Sequence, residues 1–89
     1  MDIEYTIPIW RDGQQFVAHA MPLDVMSSGQ TPDQARHALY EAVELFLETA
    51  SETGALTEIL QESGYELAQG NWTGPVWVAV ERHSAVLAV

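Results

Sequence analysis

The sequence contains no cysteine and no lysine, and only three arginines stand among its 89 residues. Without cysteine, the chain cannot form disulfides, thiolate metal sites or cysteine nucleophiles. No apolar run approaches the roughly 18–20 residues that a membrane-spanning helix requires. The first residues of the chain carry acids and no basic residue, so we expect neither a secretory nor a transit leader there. These absences favour a cytoplasmic protein that does not enter a membrane.

Positive charge is scarce because acids dominate the charged residues. Thirteen Asp and Glu residues give a formal net charge of −10. Such a charge repels phosphate backbones, and phosphate contacts supply most of the affinity for nucleic acids, so we expect no direct DNA or RNA binding. The same field would attract a basic protein partner. An acidic surface that serves only solubility is the alternative.

The start of the chain has the pattern of a strand pair. Alternating polarity predicts a strand over residues 3–9. Pro8 cannot donate a hydrogen bond to a neighbouring strand, which indicates an edge position or a strand end. The Asp-Gly dipeptide that follows predicts a tight hairpin, so the return strand should cover residues 15–21. A third short strand is expected over residues 25–28.

A long two-faced helix should follow. Thr31 suits the N-cap and Pro32 the first helical position. The helix should run to about Glu52, with Gly54 as its C-terminal stop. Its apolar residues share one stripe at helical spacing: Ala35, Leu39, Ala42, Val43, Phe46, Leu47 and Ala50.

The last third of the chain predicts a short helix and a closing strand. Residues 56–63 have an amphipathic pattern, and a polar connection over residues 65–73 leaves room for a short strand at 65–68. Residues 76–80 are apolar on both faces, as in a central strand. The apolar pattern resumes at residues 85–89, which favours one long bulged strand over a hairpin.

The predicted order is β-β-β-α-α-β, and one α+β domain should span residues 1–89. We expect an antiparallel sheet of three to four strands with the long helix packed on one face and the short helix beside it. One helix cannot cover both faces of a sheet, so a second copy of the chain is the expected cover for the remaining apolar residues. These residues are Trp10, Val17, Met21, Trp77 and Val86.

Neither catalysis nor a bound metal or cofactor is expected. The three histidines, His19, His37 and His83, have spacings that match no metal-binding motif. His37 precedes Glu41 by four residues and should form a surface pair with it. His19 fits the surface of a sheet. No serine lies in a nucleophile elbow, and no glycine-rich loop matches a phosphate-binding motif.

Two features are candidates for binding a protein partner. One is a row of acids on the solvent face of the long helix, for which a solvated face or a divalent-cation site are the alternatives. The other is Trp72, which stands in a polar stretch, since tryptophan is enriched at binding hot spots. Trp77 is expected to pack within its strand. The acidic row comprises Glu41, Glu44, Glu48 and Glu52.

The chain also resembles a known family. A pattern G-x-T-x-x-x-A leads into the long helix, and E-A-x-x-x-x-L continues it. With the N-terminal strand pair and the closing strand, these patterns resemble the HicB-like antitoxin fold over nearly the whole chain. The residues that carry the resemblance are Gly29, Thr31 and Ala35, then Glu41, Ala42 and Leu47.

The resemblance implies a homo-oligomer that binds a small basic ribonuclease toxin of the HicA type and blocks it sterically. Residues 22–26 depart from the family, which often has a Pro-Gly-Cys-like segment there. We expect no DNA-binding module after the closing strand, so operator binding is not implied. The alternative is a solitary homo-oligomeric scaffold, or a small-ligand-binding domain, without a toxin partner.

Overall fold

A three-stranded antiparallel sheet, formed in order by β1 (Ile9–Asp12), β2 (Gln15–Ala20) and β3 (Val25–Gly29), carries a long helix, α1 (Pro32–Glu52), on one face. The computed structural model describes residues 1–88. A short helix and a two-stranded hairpin follow α1, so the expected α+β class is confirmed. These later elements are α2 Leu56–Glu62, β4 Glu66–Ala68 and β5 Asn71–Thr73.

The predicted first strand is present as an irregular extension of β1. Thr6 pairs with Met21 in the same register that joins β1 to β2. Between them, Pro8 has no N–H, and only its carbonyl takes part by accepting from the N–H of His19 at 3.1 Å. Side chains of this segment that pack on the core are Ile3, Tyr5, Ile7 and Ile9.

The hairpin between β1 and β2 is confirmed, with Gly13 and Gln14 as its two loop residues. Gly13 has a φ of 65°, and a positive φ at the first loop position is typical of a type II′ turn. Alternation along β2 then separates its two faces. Ala18 and Ala20 are fully buried on the side of α1, where small side chains allow the helix to approach closely.

The predicted bounds of α1 are confirmed by its capping. Thr31 has extended backbone angles, and its Oγ1 accepts a hydrogen bond from the N–H of Gln34 at 3.1 Å. At the other end Thr53 is the C-cap, and Gly54 has a φ of 76°. The predicted apolar stripe of the helix is buried or half-buried along its whole length.

Gly29 lies where β3 meets the first turn of α1. A Cβ atom at this position would stand 2.6 Å from the backbone nitrogen of Ala35 and 2.8 Å from the Cβ of Gln34. No real Cβ approaches backbone so closely, so a larger residue would push α1 away from β3. The Gly, Thr and Ala of the G-x-T-x-x-x-A pattern therefore all belong to the close junction between β3 and the first turn of α1.

The core lies between the sheet, α1 and the chain after α2. Tyr65 is buried in it, and its hydroxyl donates a hydrogen bond to the carbonyl of Glu4 at 2.5 Å. Burial, with smaller contributions from Tyr5 and Glu4, raises the pKa of Tyr65 to about 12. The buried core residues are Ala18, Ala20, Leu23, Ala35, Leu39, Val43, Leu60, Tyr65 and Trp72.

The prediction of a closing strand at residues 76–89 is wrong for the part of it that is described. Within residues 1–88 the chain has no helix or strand after Thr73, and Val89 lies outside the described residues. The place beside the N-terminal strand belongs to β5, since Trp72 forms a parallel bridge with Ile3. An apolar sequence becomes a strand only where another strand pairs with it, and residues 76–88 have no such neighbour.

The strand β5 was not predicted, because Asn71, Trp72 and Thr73 have the composition of a polar loop. Gln69 and Gly70, with φ values of 52° and 81°, form the two-residue turn that joins β4 to β5. Two successive positive φ values are typical of a type I′ hairpin.

We call residues 75–88 the arm and residues 1–74 the body. The arm leaves the body beyond Gly74 and is exposed throughout. The Cα radius of gyration is 15.5 Å, whereas a compact chain of this length has a value of about 12 Å. The longest dimension is 48 Å against 30 and 23 Å for the other two, which is the shape of a small body with a projecting segment.

Candidate protein-interaction site

The acidic row lies on the solvent side of α1, as the helical spacing predicts. All four of its glutamates are exposed, while Leu39 and Val43 on the opposite side are buried. Residues three and four apart on a helix are neighbours, so the four carboxylates form one continuous strip. The strip extends over the C-terminal half of α1 and ends at Glu52, the last residue of the helix.

No cation neutralises the acidic row within residues 1–88. The ion pairs there join Arg36 to Asp33, His19 to Asp24 and His83 to Glu81. The pair predicted between His37 and Glu41 is not formed, because His37 Nδ1 lies 2.9 Å from the carbonyl oxygen of Asp33, one turn earlier. The row therefore presents uncompensated negative charge to solvent.

Leu45 is an exposed apolar residue inside the acidic row. It is 65% exposed, and it stands four residues after Glu41 and three before Glu48, so both glutamates flank it on the helix surface. Helical spacing alone places Leu45 off the buried stripe, so this residue was predictable from the sequence although the sequence interpretation did not name it. An apolar centre with a charged rim is a common arrangement in protein interfaces.

Trp72 does not belong to this surface. It is 5% exposed and packs in the core, so the expectation that it lies in an exposed polar loop is wrong. Its backbone explains the burial, since the N–H of Trp72 donates to Asp2 at 2.8 Å and its carbonyl accepts from Glu4 at 3.0 Å. These bonds fix β5 beside the N-terminal strand and turn the indole inward.

The histidines are dispersed over the molecule. His19 lies on the sheet face opposite α1, as expected, with Nε2 2.6 Å from Asp24 Oδ1 and its ring edge-on to Trp10 at 6.1 Å. His83 lies on the arm beside Glu81. No group of three or more metal-ligating side chains comes together within residues 1–88.

A groove of about 540 Å³ marks the point where the arm leaves the body. One wall is residues 3–6, another is residues 74–77, and Met21 and Pro22 close one side. Its aromatic lining comes from Tyr5 and Trp77. No convergent set of charged groups enters this groove, and its shape depends on the position of the arm.

The fold and these surfaces define a small α+β domain with one acidic helical face and one apolar projecting segment. Comparisons with protein-family models, with curated proteins and with solved structures found no match for the chain. The resemblance to HicB-like antitoxins therefore stays a prediction from the sequence. Neither helix within residues 1–88 has the combination of length and apolar character needed to cross a membrane.

Proposed function

We propose that this chain is a non-enzymatic interaction module that binds a small basic protein through the acidic row on α1. The observation that carries the proposal is the continuous strip of four exposed carboxylates without a neutralising cation in the described chain. Complementary charge accelerates association and excludes acidic partners. Leu45 adds an apolar contact at the centre of the strip.

The partner that fits the resemblance to HicB-like antitoxins is a small basic ribonuclease toxin of the HicA type. Inhibition would be steric and electrostatic. The glutamates of the acidic row would form ion pairs with the cationic side chains of the toxin that otherwise bind RNA phosphates. No cofactor takes part, and the cytoplasm is the compartment in which such an RNA-directed toxin would act.

The first experiment identifies the partner. The chain is expressed together with the product of the adjacent reading frame, and its purified complexes are analysed by mass spectrometry. A small basic protein that copurifies, and whose ribonuclease activity falls on addition of this chain, is the expected result. The absence of any basic partner in this experiment would overturn the antitoxin proposal.

The second experiment tests the binding surface with charge-matched variants. In one, the four glutamates of the acidic row become glutamine. In the other, four acids elsewhere on the body become amides, which changes the net charge equally. We expect the first variant to lose at least about tenfold more affinity, measured by calorimetry, than the second. Equal losses would show that only net charge matters. The control acids are Asp12, Glu58, Glu62 and Glu66.

A second candidate function is favoured by the exposed arm and the groove at its base. In this alternative the chain is a homo-oligomeric scaffold, or a small-ligand-binding domain, without a toxin partner. An apolar ligand seated against Tyr5 and Trp77 would raise the melting temperature of the isolated chain. A ligand screen by melting shift, with Trp77→Ala as the control, separates this alternative from binding through α1.

A further inference from the structure

The arm has the sequence of a buried strand and the exposure of a surface loop. Val78 is 95% exposed, although residues 76–80 contain no charged or hydrogen-bonding side chain apart from the indole N–H of Trp77. Apolar surface that is exposed in a continuous segment marks an interaction site. The large apolar side chains of the arm that are exposed are Val76, Trp77, Val78, Val80, Val86 and Leu87.

The N-terminal strand has a free edge that could accept such a segment. Thr6 and Met21 exchange both backbone hydrogen bonds, at 2.9 and 2.8 Å. Polar backbone groups alternate in direction along an antiparallel strand, so those of Tyr5, Ile7 and Ile9 point away from β2. β1 is an edge strand, and no other strand of residues 1–88 pairs on that side.

The arm of the same chain leaves the body on the wrong side to reach this edge. The N–H of Glu4 donates to Trp72, and Glu4 directs its backbone groups to the same side as Thr6. β5 therefore lies on the same side of the N-terminal strand as β2. A Cβ on Gly74, just before the arm, would stand 3.0 Å from the Pro22 ring at the end of β2. To reach the free edge, the arm would have to cross over the N-terminal strand.

A second copy of the chain would cover both the exposed arm and the free edge of the N-terminal strand. Each copy offers one arm and one free edge, so a two-fold arrangement pairs both arms with both edges. Pairing of both arms would take the exposed valines of residues 76–80 out of solvent in both copies at once. The arm itself carries no net formal charge, because Arg82 offsets Glu81, its only acid.

We propose that residues 76–80 of one copy add as a strand to the free edge of residues 5–9 in a second copy, and that the second copy returns the contact. Main-chain hydrogen bonds to Tyr5, Ile7 and Ile9 would hold the arm. The arm would then have the strand conformation that its sequence favours. This exchange goes beyond the proposed function and does not depend on it, since the acidic row lies on α1.

The experiment uses the full chain and two matched Asp variants. Val78→Asp places a charge in the proposed added strand, while Leu67→Asp places one at another exposed apolar residue, on β4. Both side chains are exposed in a single copy, so neither variant should melt at a lower temperature as a monomer. We expect Val78→Asp to raise the dimer dissociation constant about a hundredfold. Leu67→Asp should change it by less than about threefold.

Amide hydrogen exchange locates the contact. The N–H groups of Tyr5, Ile7 and Ile9 should exchange at least about tenfold more slowly in the dimer than in the monomer, and Val78→Asp should abolish this protection. Light scattering that shows only monomer at millimolar concentration would overturn the proposal. So would a dimer that Val78→Asp leaves intact, or protection of these N–H groups in a monomer, which would assign the edge to the arm of the same chain.

Discussion

The body and the arm are both rich in apolar residues, but those of the body are buried whereas those of the arm are exposed to solvent. In the body, apolar residues at period two and at helical spacing end in the core, where Leu39 and Leu60 are fully buried. In the arm, equally apolar valines stay in solvent. The difference is a matter of neighbours, because the body provides each strand with a partner and provides the arm with none. Apolar sequence thus predicts a need for burial, while topology decides whether a single chain can satisfy it.

Truncation of a core side chain in the body should give the largest change in the free energy of unfolding, and the same change in the arm should give almost none. Leu39→Ala leaves a cavity in a site that is 0% exposed, and we expect it to lower the free energy of unfolding by about 2–5 kcal/mol. Val78→Ala in the arm should change it by less than about 0.5 kcal/mol when the chain is monomeric. Urea unfolding of dilute protein, followed by tryptophan fluorescence, measures both. Similar losses for the two variants would contradict the division into body and arm.

A methyl group at the junction of β3 and α1 should have the next largest effect. Gly29→Ala brings its Cβ within 3 Å of the backbone of Gln34 and Ala35, and we expect a loss of about 1–3 kcal/mol from forced displacement. Ser28→Ala, one residue earlier and exposed, is the control. Thermal unfolding compares the two variants, and equal melting temperatures would show that the junction is not tightly packed.

The hydrogen bond from Tyr65 tests how firmly the end of the body is held. Tyr65→Phe leaves the carbonyl of Glu4 without this donor, which should lower stability by about 1–2 kcal/mol. Tyr40→Phe, at an exposed tyrosine on α1, should change it little. Urea unfolding at neutral pH measures the two variants, and equal stabilities would assign no weight to the bond.

The same tyrosine should give the unmodified chain an alkaline stability limit. The pKa of Tyr65 is raised from 10.0 to about 12 in the folded chain. The unfolded chain therefore loses its proton first, and stability falls as pH rises from 10 towards 12. Burial also raises the pKa of Tyr5, so Tyr65→Phe should weaken this decline without abolishing it. Urea unfolding across this pH range measures the slope, and an unchanged slope in the variant would contradict the assignment.

The smallest expected change in stability comes from the acidic row, and it should be an increase rather than a loss. Replacing its four glutamates by glutamine removes like-charge repulsion, so we expect stability to rise by a few tenths of a kcal/mol per neighbouring pair. The effect should shrink in 0.5 M salt because the charges are exposed. A thermal scan at two salt concentrations measures it. A loss of stability would mean that these carboxylates hold the fold together, and the proposal that they are reserved for a partner would be weakened.

Much of the body was predictable because its signals are local. Thr31 and Pro32 start the helix through their own backbone preferences, and Gly54 ends it by accepting a positive φ. The exposed face of α1 followed from helical spacing alone. Leu45 could have been found in the same way, as an apolar residue off the buried stripe. The β4–β5 hairpin could not, since a Gln-Gly turn and the segment Asn-Trp-Thr are weak signals.

By itself, the sequence determined the α+β class, the caps of α1, the presence of the first hairpin and the excess of negative charge. The caps and the hairpin turn depend on residues that are adjacent or one helical turn apart, and the charge depends on composition alone. Only the tertiary structure decided that Trp72 is buried and that residues 76–88 project from the body. Both outcomes depend on which segment pairs with the N-terminal strand, and pairing between segments that lie far apart in the chain leaves no mark in local sequence.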